Sequence, residues 1–169
     1  MATKLENLDL EIAHFNNFRN KISGCEDLCQ NTITRLLQFG IIQVSTAFEL
    51  ALANSGGHQV VSENTHDLSD GSDAKLSCVR TYNYGNSYGA PVTNIYGKTG
   101  SLRVQVYERK NHKFYYFVIP QYAYSHVPKS SNIEIPFYID GSPRRVPSRV
   151  VSRNWWNYEV ASFEEMSRK

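Results

Sequence analysis

The stretch Leu102-Arg-Val-Gln-Val-Tyr-Glu-Arg-Lys-Asn-His-Lys-Phe-Tyr-Tyr-Phe-Val-Ile119 sets two runs of β-branched and aromatic residues on either side of Arg109-Lys-Asn-His112. Such residues fit the pleated, half-buried surface of a sheet, and a short polar insert between two such runs marks a hairpin. The pattern predicts strands over Leu102–Glu108 and Lys113–Ile119, with the run from Phe114 to Ile119 the clearest strand signal in the chain. Upstream, 73–79 reads as a further strand and 58–63, through Val60 and Val61, as a short one. The Tyr-, Asn- and Gly-rich 82–96 reads as an irregular surface segment. Downstream, 133–139 reads as an edge strand because Pro136 cannot donate to a ladder. Residues 155–166 read as a terminal helix, in whole or only in the later part.

Further upstream the period changes. Leu5, Leu8, Ile12, Phe15, Phe18 and Ile22 recur every three to four residues, the spacing of one helix face. A second helical region spans 26–53, interrupted near Gly40, and stops at Asn54-Ser-Gly-Gly57. Helices first, strands in the middle and a helical tail predict an α/β fold: a single domain over 1–169 with a central mixed β-sheet flanked by helices. It carries an N-terminal helical region at 6–54 and a basic segment at 141–169.

Composition narrows the function. With 169 residues, 41% hydrophobic and 20% charged, the chain is long enough to bury a sizeable core, which excludes disordered and collagen-like readings. No apolar run approaches the roughly 18 to 20 residues that cross a bilayer. Residues 1–17 are acidic and polar where a secretory signal is basic and then apolar, so no membrane partner and a cytoplasmic location are expected. Three cysteines without a Cys-x-x-Cys unit are expected to be ordinary reduced thiols. Neither a phosphate-binding Gly-x-x-x-x-Gly-Lys loop nor a Gly-x-Ser-x-Gly elbow is present, so no nucleotide cofactor is expected. Residues 1–100 carry 7 Lys and Arg against 10 Asp and Glu, while 101–169 carry 11 against 6. An acidic centre beside a surface that attracts a polyanion is one arrangement such a chain can adopt.

The acidic centre is found in His66-Asp-Leu-Ser-Asp-Gly-Ser-Asp-Ala-Lys75, preceded by Glu63. Asp73 and Lys75 are two apart on a strand and project from one face. Carboxylates converging there offer hard oxygen ligands to Mg²⁺, and a lysine beside the ion can orient an attacking water and favour developing charge on a phosphate.

Asp73-Ala-Lys75 resembles the second half of the PD-(D/E)xK motif of restriction endonucleases and related nucleases. In that motif an acid, a variable residue and Lys lie on a strand, and another acid comes before them. The resemblance covers about fifteen residues closely and 49–119 loosely. The Pro that often precedes the upstream acid is absent, and Glu63, Asp67 and Asp70 compete for that place. The resemblance implies a restriction-endonuclease-like fold and a type II, Mg²⁺-dependent enzyme that hydrolyses double-stranded DNA, leaving a 5′ phosphate. It implies a site of Asp70, Asp73, Lys75, Glu63 and Glu49, with Asp70, Asp73 and Glu63 as metal ligands and Glu49 supporting from the preceding helix. A second placement takes Asp73 as the upstream acid and Glu108 with Lys110 as the Glu-x-Lys pair.

Lys98, Arg103, Arg109, Lys110, Lys113 and Lys129 are candidate phosphate contacts, and Arg144, Arg145, Arg149 and Arg153 add a denser series that can clamp or read DNA, since a guanidinium fork fits phosphate and guanine edges alike. A homodimer, with the helices of 6–53 as its surface, would match a palindromic site. The alternative is a non-enzymatic DNA-binding protein whose acids merely form a polar loop.

Overall fold

The computed structural model describes residues 44–61, 65–81, 88–129, 132–145 and 154–169. The predicted helix over 5–22, most of the one over 26–53, Cys25, Cys29, Glu63, Arg149 and Arg153 lie outside them. The described elements run α1 (Val44–Gly56), β1 (Asp73–Cys78), β2 (Arg80–Thr81), β3 (Tyr88–Val92), β4 (Leu102–Glu108), β5 (Lys113–Ile119), α2 (Gln121–Tyr124), β6 (Ile133–Phe137), a 3₁₀ turn (Trp155–Tyr158), β7 (Glu159–Val160) and α3 (Phe163–Arg168).

The fold is α/β with a mixed sheet, and the hairpin at its centre is the predicted one: β4 and β5 pair antiparallel from Leu102↔Ile119 to Glu108↔Lys113. β1 lies parallel to β4, from Asp73↔Leu102 to Cys78↔Tyr107, and β7 closes the order β1-β4-β5-β7. Every residue of β4 is buried, as expected of a central strand covered on both faces.

Two expectations are corrected. There are two sheets rather than one, because 88–92 is not an irregular surface segment. It is β3, the middle strand of a second sheet ordered β2-β3-β6. Its Tyr88, Ala90 and Val92 are buried, and its short Gly-Ala-Pro run is poor in the β-branched residues that signal a strand. Residues 58–63 form no strand in the described part, only a bridge between Val60 and Leu68. Pro136 does sit on an edge strand, β6. The tail becomes α-helical only from Phe163, after the 3₁₀ turn at Trp155–Tyr158, with Ser162 accepting from the Glu165 N–H as its cap.

The strand period of two sorts the core into two clusters. Leu102, Val104, Val106, Phe117 and Ile119 face the second sheet and meet Ala90, Val92, Ile133, Ile135 and Phe137. Ala74, Leu76, Tyr116 and Val118 face the other way, onto Phe48, Leu52, Phe163 and Met166 of α1 and α3. Both Trp155 and Trp156 are buried. The layers are helices, mixed sheet, second sheet. Asp73 opens β1, the edge strand of the mixed sheet, where α1, the turn before β1 and the loop after β3 converge.

Candidate active site

Asp73 is 1% exposed. Its neighbour Ala74 turns to the helix-side core, which sends Asp73 and Lys75 together to the other face. Lys75 Nζ stands 2.9 Å from Asp73 Oδ2 and donates to the Asn94 carbonyl at 3.1 Å. Lys98 Nζ, from the loop after β3, stands 3.1 Å from Asp73 Oδ1. Neither Asp73 oxygen has a donor of hydrogen-bond geometry among the described residues; two ammonium charges balance it instead.

Two further carboxyls belong to this centre. Asp67 accepts from the Ala74 N–H at 2.9 Å. Burial pushes its pKa up and the adjacent Asp73 pushes it further, against the lowering effect of the Ala74 N–H and of Lys98. Glu49, on α1, is raised to about 7, first by burial and then by the charges of Asp67 and Asp73. Like charges brought together out of water disfavour ionisation, and that moves both groups toward the range where a carboxyl can give or take a proton near neutrality. Tyr124 lies close enough for Asp73 to add to the burial that raises its hydroxyl to about 12.

Of the residues expected here, Asp73 and Lys75 are in contact, while Glu49 on α1 is joined to Asp73 only through the effect of its charge. Asp70 is not with them: the turn carries it to Arg103, with Nη2 2.5 Å from Oδ2, while Oδ1 accepts from the Ser72 N–H and hydroxyl. Burial opposes ionisation of Asp70, yet the Ser72 and Arg103 hydrogen bonds outweigh it and hold the pKa at about 2. Asp67 takes the place next to Asp73 that sequence proximity gave to Asp70. A local signal distinguishes the two. Asp70-Gly-Ser72 is the pattern in which an aspartate binds its own backbone two residues on, and Asp140-Gly-Ser142 folds in the same way, with Gly71 and Gly141 both at φ 89°. Lys98 had no such signal, since it arrives from a Gly-containing loop in another part of the chain.

The second placement does not assemble. Along β4, Glu108 is six residues from Leu102, the neighbour of Asp73, or about 20 Å at strand rise. Its carboxylate accepts instead from the Tyr88 hydroxyl and the N–H groups of Lys110 and Asn111, at 3.1, 2.9 and 2.9 Å, which fastens the hairpin turn.

Among the DNA-contact candidates, Arg103 is corrected. At 2% exposure it is a core group that reaches Asp70, the Ser72 hydroxyl and the Met166 carbonyl, and no phosphate can approach it. Lys110 is exposed, with its ammonium on the Ile139 carbonyl and 4.6 Å from the Tyr88 ring. Arg144 and Arg145 are exposed; Arg145 pairs with both Glu159 oxygens at 2.9 and 3.1 Å and lies 4.8 Å from the Trp156 ring. Arg109, Lys110 and Arg144 gather at the Glu108 end of the sheet, because Pro143 bridges Phe137, which pairs with Tyr88.

The donor set suits a hard cation, since every acid is a carboxylate and the most buried one lacks a hydrogen bond. Mg²⁺ characteristically uses one or two carboxylates and keeps several waters, which Asp73 and Asp67 can satisfy. No three His, Cys, Asp or Glu side chains among the described residues are gathered closely enough to ligate one ion as they stand. Among the same residues, no helix is long and apolar enough to cross a membrane. Compared with known proteins, the chain matches no family model, no curated protein and no solved structure.

Proposed function

We propose that the chain is a Mg²⁺-dependent endonuclease of double-stranded DNA, restriction-endonuclease-like, with Asp73, Asp67 and Glu49 as its acids and Lys75 as its lysine. The observation that carries this reading is the buried Asp73 beside Lys75 on one strand face, with the Asp67 carboxyl on the Ala74 N–H next to it and the charges of both felt at Glu49 on α1.

Asp73 and Asp67 would hold the cation, which when bound polarises the phosphate and lowers the pKa of a coordinated water. Lys75, carried on its strand and donating to the Asn94 carbonyl, would supply its ammonium to the negative charge that grows on the scissile phosphate. Glu49, with a carboxyl near 7, is suited to accept the proton of the attacking water or to relay it. Attack on phosphorus would expel the 3′ oxygen and leave a 5′ phosphate. A homodimer would cut both strands of a two-fold site.

Plasmid DNA incubated with the protein and Mg²⁺ is expected to give discrete fragments, and chelation is expected to abolish them. Lys75→Ala is expected to slow cleavage by about a hundredfold or more, the scale of removing a preorganised charge from a transition state. Cleavage by Lys75→Ala at the parent rate would sink the assignment.

A second reading has one observation in its favour. The pairing of both Asp73 oxygens with lysines is a self-sufficient buried ion cluster, which a non-enzymatic DNA-binding protein could use as structure alone. That reading expects salt-dependent duplex binding with no cleavage in any divalent cation.

A further inference from the structure

Resting on the nuclease reading above, we infer that Asn94 is a positioning residue of the site: its left-handed backbone turns its own carbonyl onto Lys75 and sets the direction of that ammonium.

One face of β1 presents Asp73, Lys75 and Ser77 in succession, since they are two apart on a strand. The chain leaving β3 meets all three in reverse order. The Ser77 hydroxyl donates to the Pro91 carbonyl at 2.6 Å, Lys75 Nζ donates to the Asn94 carbonyl at 3.1 Å, and Lys98 Nζ stands 3.1 Å from Asp73 Oδ1. Two residues of strand advance about 7 Å, while the three or four residues between successive contacts would reach about 10 Å or more if extended. Two reversals shorten the segment: the turn that sets the Lys98 N–H on the Ile95 carbonyl, with Gly97 at φ 80°, and Asn94 itself at φ 54°.

Glycine adopts a positive φ freely and asparagine is among the few others that tolerate it, whereas a β-branched residue there is an outlier. The only other non-glycine of positive φ among the described residues is His112, which closes the β4–β5 turn through its N–H on the Arg109 carbonyl. Asn94 is exposed, and its carbonyl reaches Lys75. Ile95 is buried in the core between the sheets, so the peptide that carries this carbonyl is held on one side by packing.

Direction is what Asp73 does not supply. Its Oδ2 lies 2.9 Å from Lys75 Nζ, yet neither Asp73 oxygen has a donor of hydrogen-bond geometry among the described residues. Coulomb attraction depends on distance, and a hydrogen bond depends on angle as well. Asp73 holds the ammonium close; the Asn94 carbonyl orients it. One N–H fixed on that carbonyl restricts where the other two can point, and one of those is the donor that a phosphate oxygen would meet.

The test is single-turnover cleavage of saturating duplex DNA in Mg²⁺, with duplex affinity measured alongside by fluorescence anisotropy. Asn94→Val, which disfavours positive φ, is expected to cleave at least about tenfold more slowly at unchanged affinity, the scale of a misplaced catalytic group. Asn94→Gly, which keeps the backbone conformation without the side chain, is expected to cleave within about twofold of the parent. In a Lys75→Ala background, Asn94→Val is expected to slow cleavage no further, because its effect passes through Lys75. Parent-rate cleavage by Asn94→Val, equal slowing by Asn94→Gly, or the same slowing with and without Lys75 overturns the inference. If Asn94→Val does not fold, Asn94→Ala takes its place in the same cycle, where about threefold slowing is expected and the parent rate overturns the inference. A parent that cleaves DNA while any of those results is obtained loses only this inference. A parent that cleaves no DNA loses the nuclease reading and the inference with it.

Discussion

Asp73 is a fully buried carboxylate whose compensation among the described residues is ionic, and an ion so placed is costly unless its partners stay in register. The neighbouring acids bear the consequence. Glu49 holds its proton more tightly in the fold, at about 7, than at its ordinary 4.5. A carboxyl raised in this way contributes stability fully present below about 4.5 and lost as the pH rises through about 7. Replacing it by an amide removes that dependence. The difference in melting temperature between the parent and Glu49→Gln is therefore expected to move in favour of the variant between pH 4.5 and 7, as read by thermal unfolding across that range. Asp70 works in the opposite sense: its pKa of about 2 makes its contribution present above 3.8 and lost as the pH falls toward 2.

At the scale of elements, Arg103 ties three segments together: the turn through Asp70 and Ser72, β4 through its own backbone, and α3 through the Met166 carbonyl. Replacing it by Met would leave buried acceptors without a donor and Asp70 without its partner. Arg103→Met is expected to lower stability by about 3 kcal/mol in urea unfolding, with early loss of α3 protection in hydrogen exchange. Gly100→Ala is expected to cost about 2 kcal/mol, as overpacking does, because the obstacle is the Gly71 carbonyl rather than a flexible side chain.

The same elements show what a sequence discloses. β4, β5 and β6 were legible because each carries enough β-branched or aromatic residues to register as strand, whereas the Asp73-Ala-Lys-Leu-Ser-Cys78 of β1 carries none. β3 was not, because its strand character comes from tertiary pairing: Gly89 and Ala90 have little propensity of their own and are held by Ile135 and Pro136 across the ladder. For the site, the strand period correctly joined Asp73 to Lys75, and the helix position of Glu49 was within reach of inference. The sequence does not single out Asp67 from Glu63 and Asp70, since which acid turns inward depends on a two-residue backbone reversal at Gly71, and it offers Lys98 as a phosphate contact rather than as a partner of Asp73, because loop packing delivers it there. Arg103 looked like any other arginine between apolar residues; only the folded chain reveals that its partner Asp70 waits on the helix side.

Across the whole molecule, Asp73 sits at one end of β4, and the half-buried Arg109 with the exposed Lys110 and Arg144 lies at the other, about 20 Å away at strand rise. At about 3.4 Å per step along a strand, a duplex would span that separation with some six base pairs. The arginine end would then anchor the duplex while the acid end acts on it. Replacing Arg144 by Ala is expected to weaken duplex binding and to reduce the slope of log affinity against log salt by about 1 for each phosphate left without its cation. Cleavage at saturating DNA should stay close to the parent. Fluorescence anisotropy over a salt series checks the first expectation and single-turnover cleavage the second.

The parallel pairing of β1 with β4 has a kinetic corollary. Between them the chain leaves for the other sheet and comes back, so the ladder that seats Asp73 and Lys75 cannot close as a local hairpin. It must wait for a long excursion to be ordered, and such distant pairings form slowly because loop entropy is spent before contacts repay it. The β4–β5 hairpin should therefore acquire amide protection first in pulse-labelled refolding, and the pocket that gathers the charges should be among the last parts of the nascent molecule to mature.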